Sequence, residues 1–420
     1  MFSVVIGPEK GRAFSPPAAH GIGGCPGAFS TPMKYLELYE HLKDRVLLDG
    51  ERIGLDGGMS VHNFTFHSRH TALLPEGHGP GEPKGDLLDV ADALVSENAS
   101  FRYHVFQPDR IRKSTEMILL FHGFNEKHWH KYLPWAARML ETTGKTIVLF
   151  PIAFHMNRAP AAWSDPRLMH QVSKHRREEF PDLLNSSLLN AAISSRLQRN
   201  PQRFIWSGLQ TYHDVKDFVE VCTRGGHPLF EKDCTVDIMA YSIGAFLSQV
   251  LLLSNPDGLF SETKLFMFCG GPVFNRISPV SKFILDSEAN VHLYSFLVEH
   301  LESHLRHDPK LFACLNDGSE SGVAFRSMLS YKSMVAFREE RFRKMSGRLS
   351  AVALAKDEVI PPYEVENTLN GRNRDIPIRV RTLDFPYKYK HEDPFPALAG
   401  ISEDVDEGFN DVFEIIGGFF

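Results

Sequence analysis

The chain has 420 residues, 43% of them hydrophobic, with a formal charge of -6. A chain of that size buries a large core in one α/β domain with insertions or in two domains. An acidic balance without a concentrated basic face argues against nucleic acid or an anionic membrane surface as the main partner. The run Lys174-His175-Arg176-Arg177 is followed at once by Glu178-Glu179 and reads as a solvated helix face. No stretch reaches the roughly 20 apolar residues of a membrane helix, and Met1 to Arg12 lacks a charged region followed by an apolar core, so a cytoplasmic protein is expected. Cys25, Cys222, Cys234, Cys269 and Cys314 are scattered, without zinc spacing or a disulfide framework, and read as reduced thiols.

Residues 1–60 are rich in Gly and Pro, with a helix expected from Met33 to Leu48, and read as an N-terminal extension of a main domain at 61–420. Asn63 to His67 and Phe101 to Phe106 alternate apolar and polar side chains, as antiparallel strands with one wet face do, across a Gly/Pro loop near Pro75 to Gly85. From Met117 the pattern changes to continuous apolar runs, the mark of strands buried on both faces. Met117 to Phe121, a helix from Pro134 to Gly144, and Thr146 to Phe150 make a parallel strand-helix-strand crossover. Leu265 to Cys269, Leu349 to Leu354 and Ile378 to Leu383 extend the series, giving a mostly parallel, eight-stranded α/β sheet.

The chemistry gathers at the ends of these strands. Thr235 to Tyr241 runs into Ser242, flanked at minus two and plus two by Ala240 and Gly244, and then into a leucine-rich helix pattern. A serine on such a sharp turn sits in a strained backbone conformation, which requires small neighbours two positions away. Ala240-Tyr241-Ser242-Ile243-Gly244 resembles the nucleophile elbow, G-x-S-x-G, of the α/β-hydrolase superfamily, with alanine in place of the first glycine. His122-Gly123-Phe124 resembles that superfamily's oxyanion-hole segment, which implies the amides of Phe124 and Ile243 as the two donors. His122, His128 and His130 carry no HExxH spacing, so no metal is expected, nor any cofactor.

The superfamily order, serine then acid then histidine, implies the remaining partners. Asp357, in Asp357-Glu358-Val359-Ile360-Pro361, is the acid, with Glu358 as the alternative, and His391 is the only histidine after it. The resemblance covers about residues 100 to 420 and implies the α/β-hydrolase fold, a bacterial family within the superfamily, and a serine hydrolase acting on a small-molecule ester. An acyltransferase on the same three residues and a catalytically silent binding protein are the alternatives. Two insertions exceed a minimal domain. Residues 153–209 carry His155, Asn157, Arg158 and Trp163, which would line the pocket, with Arg158 either gripping an anion or satisfying loop carbonyls. Tyr241 is a further substrate-binding candidate. Residues 272–345 form a helical cap in which Leu293, Phe296, Leu297, His300, Leu301 and Leu305 share one helix face, packed on the core or acting as a lid, with Phe296 toward the substrate.

Overall fold

A computed structural model of the chain describes residues 33–46, 50–75, 88, 90–316 and 318–420. Residues 1–32 and 47–49 of the expected extension, Cys25 with them, and most of the Gly/Pro loop near Pro75 to Gly85 lie outside the described residues. The strands are β1 (Arg52–Leu55), β2 (Met59–His67), β3 (Ser100–Pro108), β4 (Ser114–Phe121), β5 (Thr146–Leu149), β6 (Phe230–Tyr241), β7 (Leu265–Phe268), β8 (Leu349–Leu354) and β9 (Arg379–Leu383). They form one sheet in the order β1-β2-β3-β5-β4-β6-β7-β8-β9. Pairs from β5 to β9 are parallel, and β1, β2, β3 and β5 pair antiparallel. Apart from the edge strand β1, this is the α/β-hydrolase arrangement: an antiparallel second strand and a swap of the third and fourth. The sheet thus has nine strands where the sequence pattern gave eight. Arg52-Ile53-Gly54-Leu55 is too short, and half exposed, to announce itself by alternation.

The helices are α1 (Tyr35–Arg45), α2 (Ser96–Ala99), α3 (Tyr132–Thr143), α4 (Pro166–Glu179), α5 (Ala191–Arg199), α6 (Arg203–Thr223), α7 (Ile243–Ser254), α8 (Ser287–Tyr294), α9 (Leu301–His307), α10 (Pro309–Leu315), α11 (Glu320–Ser327), α12 (Val335–Met345), α13 (Pro362–Leu369) and α14 (Ser402–Phe419). None of the described helices is long and apolar enough to cross a membrane. Each face of the sheet carries its own core. On one, α1, α3 and α14 bring Tyr35, Trp135, Phe409 and Phe413 against Ile118, Leu120 and Met239. On the other, α6, α7 and the capping helices cover Leu119, Ile238 and Met267.

Local chemistry sets the ends. Pro134 stands in the first turn of α3, where it breaks no intrahelical bond, and Gly144 closes the helix at φ 70°, its amide donating to the Leu140 carbonyl at 2.9 Å. Asp165, Asp286 and Asp308 cap α4, α8 and α10 through side-chain oxygens. Between α8 and α9 the chain makes one wider, π-type turn at Ser295–Glu299. That turn aligns residues four apart, so Leu293, Leu297, Leu301 and Leu305 are the buried stripe, while Phe296 is half-buried and His300 exposed. Of the expected face, the four leucines join the main core beneath the cap, while Phe296 packs only at its edge and stacks on His304 at 4.2 Å.

Candidate active site

The site stands where β4, β6 and β8 end. Tyr241 closes β6, Ser242 turns the chain at φ 55°, ψ -120°, and α7 begins at the next residue. Non-glycine residues avoid that backbone region, so surrounding packing has to hold it. Gly244 shows how close that packing is: a Cβ there would lie 2.8 Å from the Phe121 Cβ and carbonyl oxygen, and 2.9 Å from the His122 carbonyl. The bare Gly244 lets α7 start against the end of β4. Ser242 is 7% exposed, so its hydroxyl sits beneath the capping helices rather than at an open mouth.

Ser242 Oγ lies 2.7 Å from His391 Nε2, and His391 Nδ1 lies 2.8 Å from Asp357 Oδ2. A carboxylate only accepts, so the proton between His391 and Asp357 belongs to Nδ1, and Nε2 is left as the acceptor facing the serine hydroxyl. Asp357 is fixed in turn, because its Oδ1 accepts the amides of Val359 at 2.9 Å and Ile360 at 2.8 Å. Glu358 points to solvent. Beside Asp357 the buried Cys269 thiol is pushed up by burial and further by the carboxylate, which keeps it protonated.

Phe124 and Ile243 border the same cavity as Ser242. Among the described residues no acceptor takes either backbone amide; Ile243 opens a helix, where such donors have no internal partner. The loop bearing Phe124 is tied down on several sides. His122 Nδ1 donates to the Gly123 carbonyl at 2.8 Å while its Nε2 accepts the Ile152 amide at 2.9 Å. Burial holds this imidazole far below its ordinary pKa, and the two bonds require it neutral. Asn125, at φ 59°, donates through Nδ2 to the carbonyls of Leu189 and Phe283, joining the loop to both insertions.

Three residues that carried no sequence signal tie the Phe124 loop to the histidine loop. The Gly123 amide donates to Tyr132 Oη at 2.9 Å, and that hydroxyl donates to Glu126 Oε1 at 2.9 Å. Glu126 pairs with Lys131, whose ammonium also donates to the Glu392 carbonyl at 2.8 Å, next to His391. No spacing rule connects such residues; only their position in one loop and the start of α3 brings them together.

The expected pocket residues separate. His155 lies beside Phe124, with ring centroids 5.4 Å apart, and lines two cavities next to it. Arg158 does not reach the substrate side: it is wholly buried, pairs with Asp214 at 2.8 Å, donates to the Pro151 carbonyl and lies 3.8 Å over the Phe101 ring. Its charge is consumed inside the fold. Asn157 is exposed and donates to the Arg102 carbonyl. Tyr241 turns away from the cavity, since its hydroxyl donates to the His391 carbonyl and its ring stacks on the imidazole at 5.5 Å. Phe296 borders a separate groove with Pro201 and His304, and Leu293 takes the place beside Ser242.

No functionally curated protein matches the sequence. Among solved structures, the chain is similar to carboxyl esterase 2 of the mycorrhizal fungus Tuber melanosporum, at 12% identity over 82% of this chain and 89% of that one, with a TM-score of 0.41. It is also similar to the esterase domain of a Rhodothermus marinus protein, at 13% identity over 86% and 97%, TM-score 0.38. A peroxisomal alpha-beta-hydrolase of Saccharomyces cerevisiae shares 11% identity over 86% and 89%, TM-score 0.36. A model of a family of unknown function, DUF6051, matches residues 33–420, and the chain belongs to that family.

Proposed function

We propose that the protein is a serine hydrolase that cleaves carboxylic esters through an acyl-enzyme. The observation that carries this reading is the unbroken line from Ser242 Oγ to His391 to Asp357, at 2.7 and 2.8 Å, built on a serine held in a strained turn. In the reaction, His391 Nε2 takes the Ser242 proton as Oγ attacks the ester carbonyl carbon. Asp357 keeps Nδ1 protonated and stabilises the imidazolium. The carbonyl oxygen gains a full negative charge, which the Phe124 and Ile243 amides receive; one such donor is worth roughly 3–4 kcal/mol of barrier. The proton then passes from His391 to the departing alcohol, and water, activated by the same nitrogen, releases the acid.

The enclosed space beside Ser242 favours small acyl groups. Three cavities that meet at Phe124 and Phe204 hold about 30, 40 and 50 Å³, each enough for a water or a few carbon atoms. Steady-state hydrolysis of 4-nitrophenyl acetate by wild type and by Ser242→Ala tests the proposal. Turnover that disappears with the serine supports it, and equal rates for the two proteins reject it.

A further inference from the structure

The cavity of about 50 Å³ between Phe154, Trp163 and Ile193 carries two acceptors that no donor among the described residues meets. They belong to Asn125 and His155, which are 7% and 6% exposed. Phe124 forms part of the same wall and also borders the cavity beside Ser242. The neighbours of Asn125 orient its amide: Nδ2 donates to the carbonyls of Leu189 and Phe283, which leaves Oδ1 as the free end. His155 Nδ1 donates to the Ala153 carbonyl at 2.8 Å, and burial holds the imidazole at about 4. The ring is therefore neutral at pH 7, and its Nε2 presents a lone pair. A buried acceptor without a donor has lost its bond to water and gained nothing in return, so such atoms are rare in folded proteins. Two of them on one cavity mark a place completed by a donor from outside the chain.

We propose that this cavity binds a hydroxyl group of the substrate, which donates to His155 Nε2 and Asn125 Oδ1, so that the natural ester carries a hydroxyl a few bonds from the scissile carbonyl. The inference rests on the serine-hydrolase reading, because Phe124 supplies the carbonyl's position. Two lone pairs repel an anion, and Lys127 on the same wall, whose charge is felt at His155, disfavours an ammonium. A neutral donor remains. Among neutral donors a hydroxyl also accepts, which suits a wall bearing both lone pairs and an ammonium. Asn125 directly follows Phe124, with Cα atoms about 3.8 Å apart, so a group held at Asn125 stands near the carbonyl oxygen that the Phe124 amide receives. A space of about 50 Å³ takes a hydroxyl and a carbon or two, and no long chain. The apolar cavity on the other side of Phe124 and Phe204, lined by Tyr212, Phe246 and Phe325, takes the remainder.

The test compares methyl 3-hydroxybutyrate with methyl 3-methylbutyrate, in which a methyl group replaces the hydroxyl, in a pH-stat. A second pair, 2-hydroxyethyl acetate against propyl acetate, asks the same of the alcohol side. Wild type is expected to favour the hydroxyl ester at least tenfold in kcat/KM in one pair, because a site built for a hydroxyl rejects an analogue that leaves its buried acceptors unpaired. The pair that responds tells which side of the ester carries the group. His155→Phe, which keeps a ring and removes the lone pair, is expected to erase most of that preference, and His155→Gln, which keeps an acceptor, to retain most of it. A wild-type preference below tenfold in both pairs, a preference that survives His155→Phe, or an equal loss in the two variants overturns the proposal and leaves the hydrolase reading standing. Calorimetric binding of the same esters to Ser242→Ala protein needs no turnover. Binding of a hydroxyl ester at least tenfold tighter than its methyl counterpart supports the subsite even if no ester is cleaved, and binding that is equal or absent overturns it.

Discussion

Replacing Asp357 by asparagine changes one atom, and the structure fixes how the new side chain must sit. Oδ1 accepts the Val359 and Ile360 amides, so an amide nitrogen placed there would set donor against two donors. The nitrogen is therefore forced toward His391 Nδ1. Being a donor, it accepts no proton from the ring, and His391 must carry its proton on Nε2, facing Ser242 Oγ at 2.7 Å. In that tautomer the imidazole cannot take the serine proton, and kcat is expected to fall by about 10⁴, equal to about 5.4 kcal/mol of barrier. Stability should change less, by about 1–3 kcal/mol, because the amide bonds survive but lose their ionic acceptor. Steady-state hydrolysis of 4-nitrophenyl acetate, with urea denaturation of the same preparations, separates the two effects. A kcat within tenfold of wild type would refute the assignment of Asp357; Glu358→Gln, in the exposed neighbour, should change kcat by less than twofold.

Gly244→Ala is expected to cost about 1–3 kcal/mol, since its Cβ would meet the Phe121 and His122 backbone rather than a movable side-chain tip; an unchanged urea midpoint would contradict the close packing. Leu293→Ala should cost about 2–5 kcal/mol and admit longer acyl chains by enlarging the cavity at Ser242, whereas Phe296→Ala should leave the chain-length profile alone; the reverse pattern would restore a lid face around Phe296. Burial holds His155 and His227 at about 4 in the folded protein. The unfolded chain binds those protons first, near 6.5, so stability is full above that pH and declines as pH falls toward 4, by up to about 3 kcal/mol for each residue. Urea midpoints that stay flat from pH 6.5 to 4.5 would show these imidazoles are not held neutral.

The buried strands were legible because continuous apolar runs have few other uses, and the elbow because Ser242 and Gly244 stand at a fixed spacing between a strand and a helix. Their chain order led to Asp357 and His391, which the fold brings to Ser242 from the ends of β8 and β9. Between the two readings open for Arg158 the sequence had no means to choose, because its partner Asp214 is 56 residues away on α6, a distance over which local pattern carries no information. The cap helix misled for a geometric reason: a 3.6-residue period selects Phe296 and His300, but the wide turn at Ser295–Glu299 selects every fourth residue. Tyr132, Glu126 and Lys131 were silent because polar loop residues acquire a role only through the neighbours the fold provides.

Covalent labelling tests the central claim most directly. A fluorophosphonate probe, added to folded protein and mapped by peptide mass spectrometry, should modify Ser242 alone, with labelling lost in Ser242→Ala and slowed by orders of magnitude in His391→Ala. No adduct on folded wild-type protein, or an adduct at another serine that survives Ser242→Ala, would contradict the account.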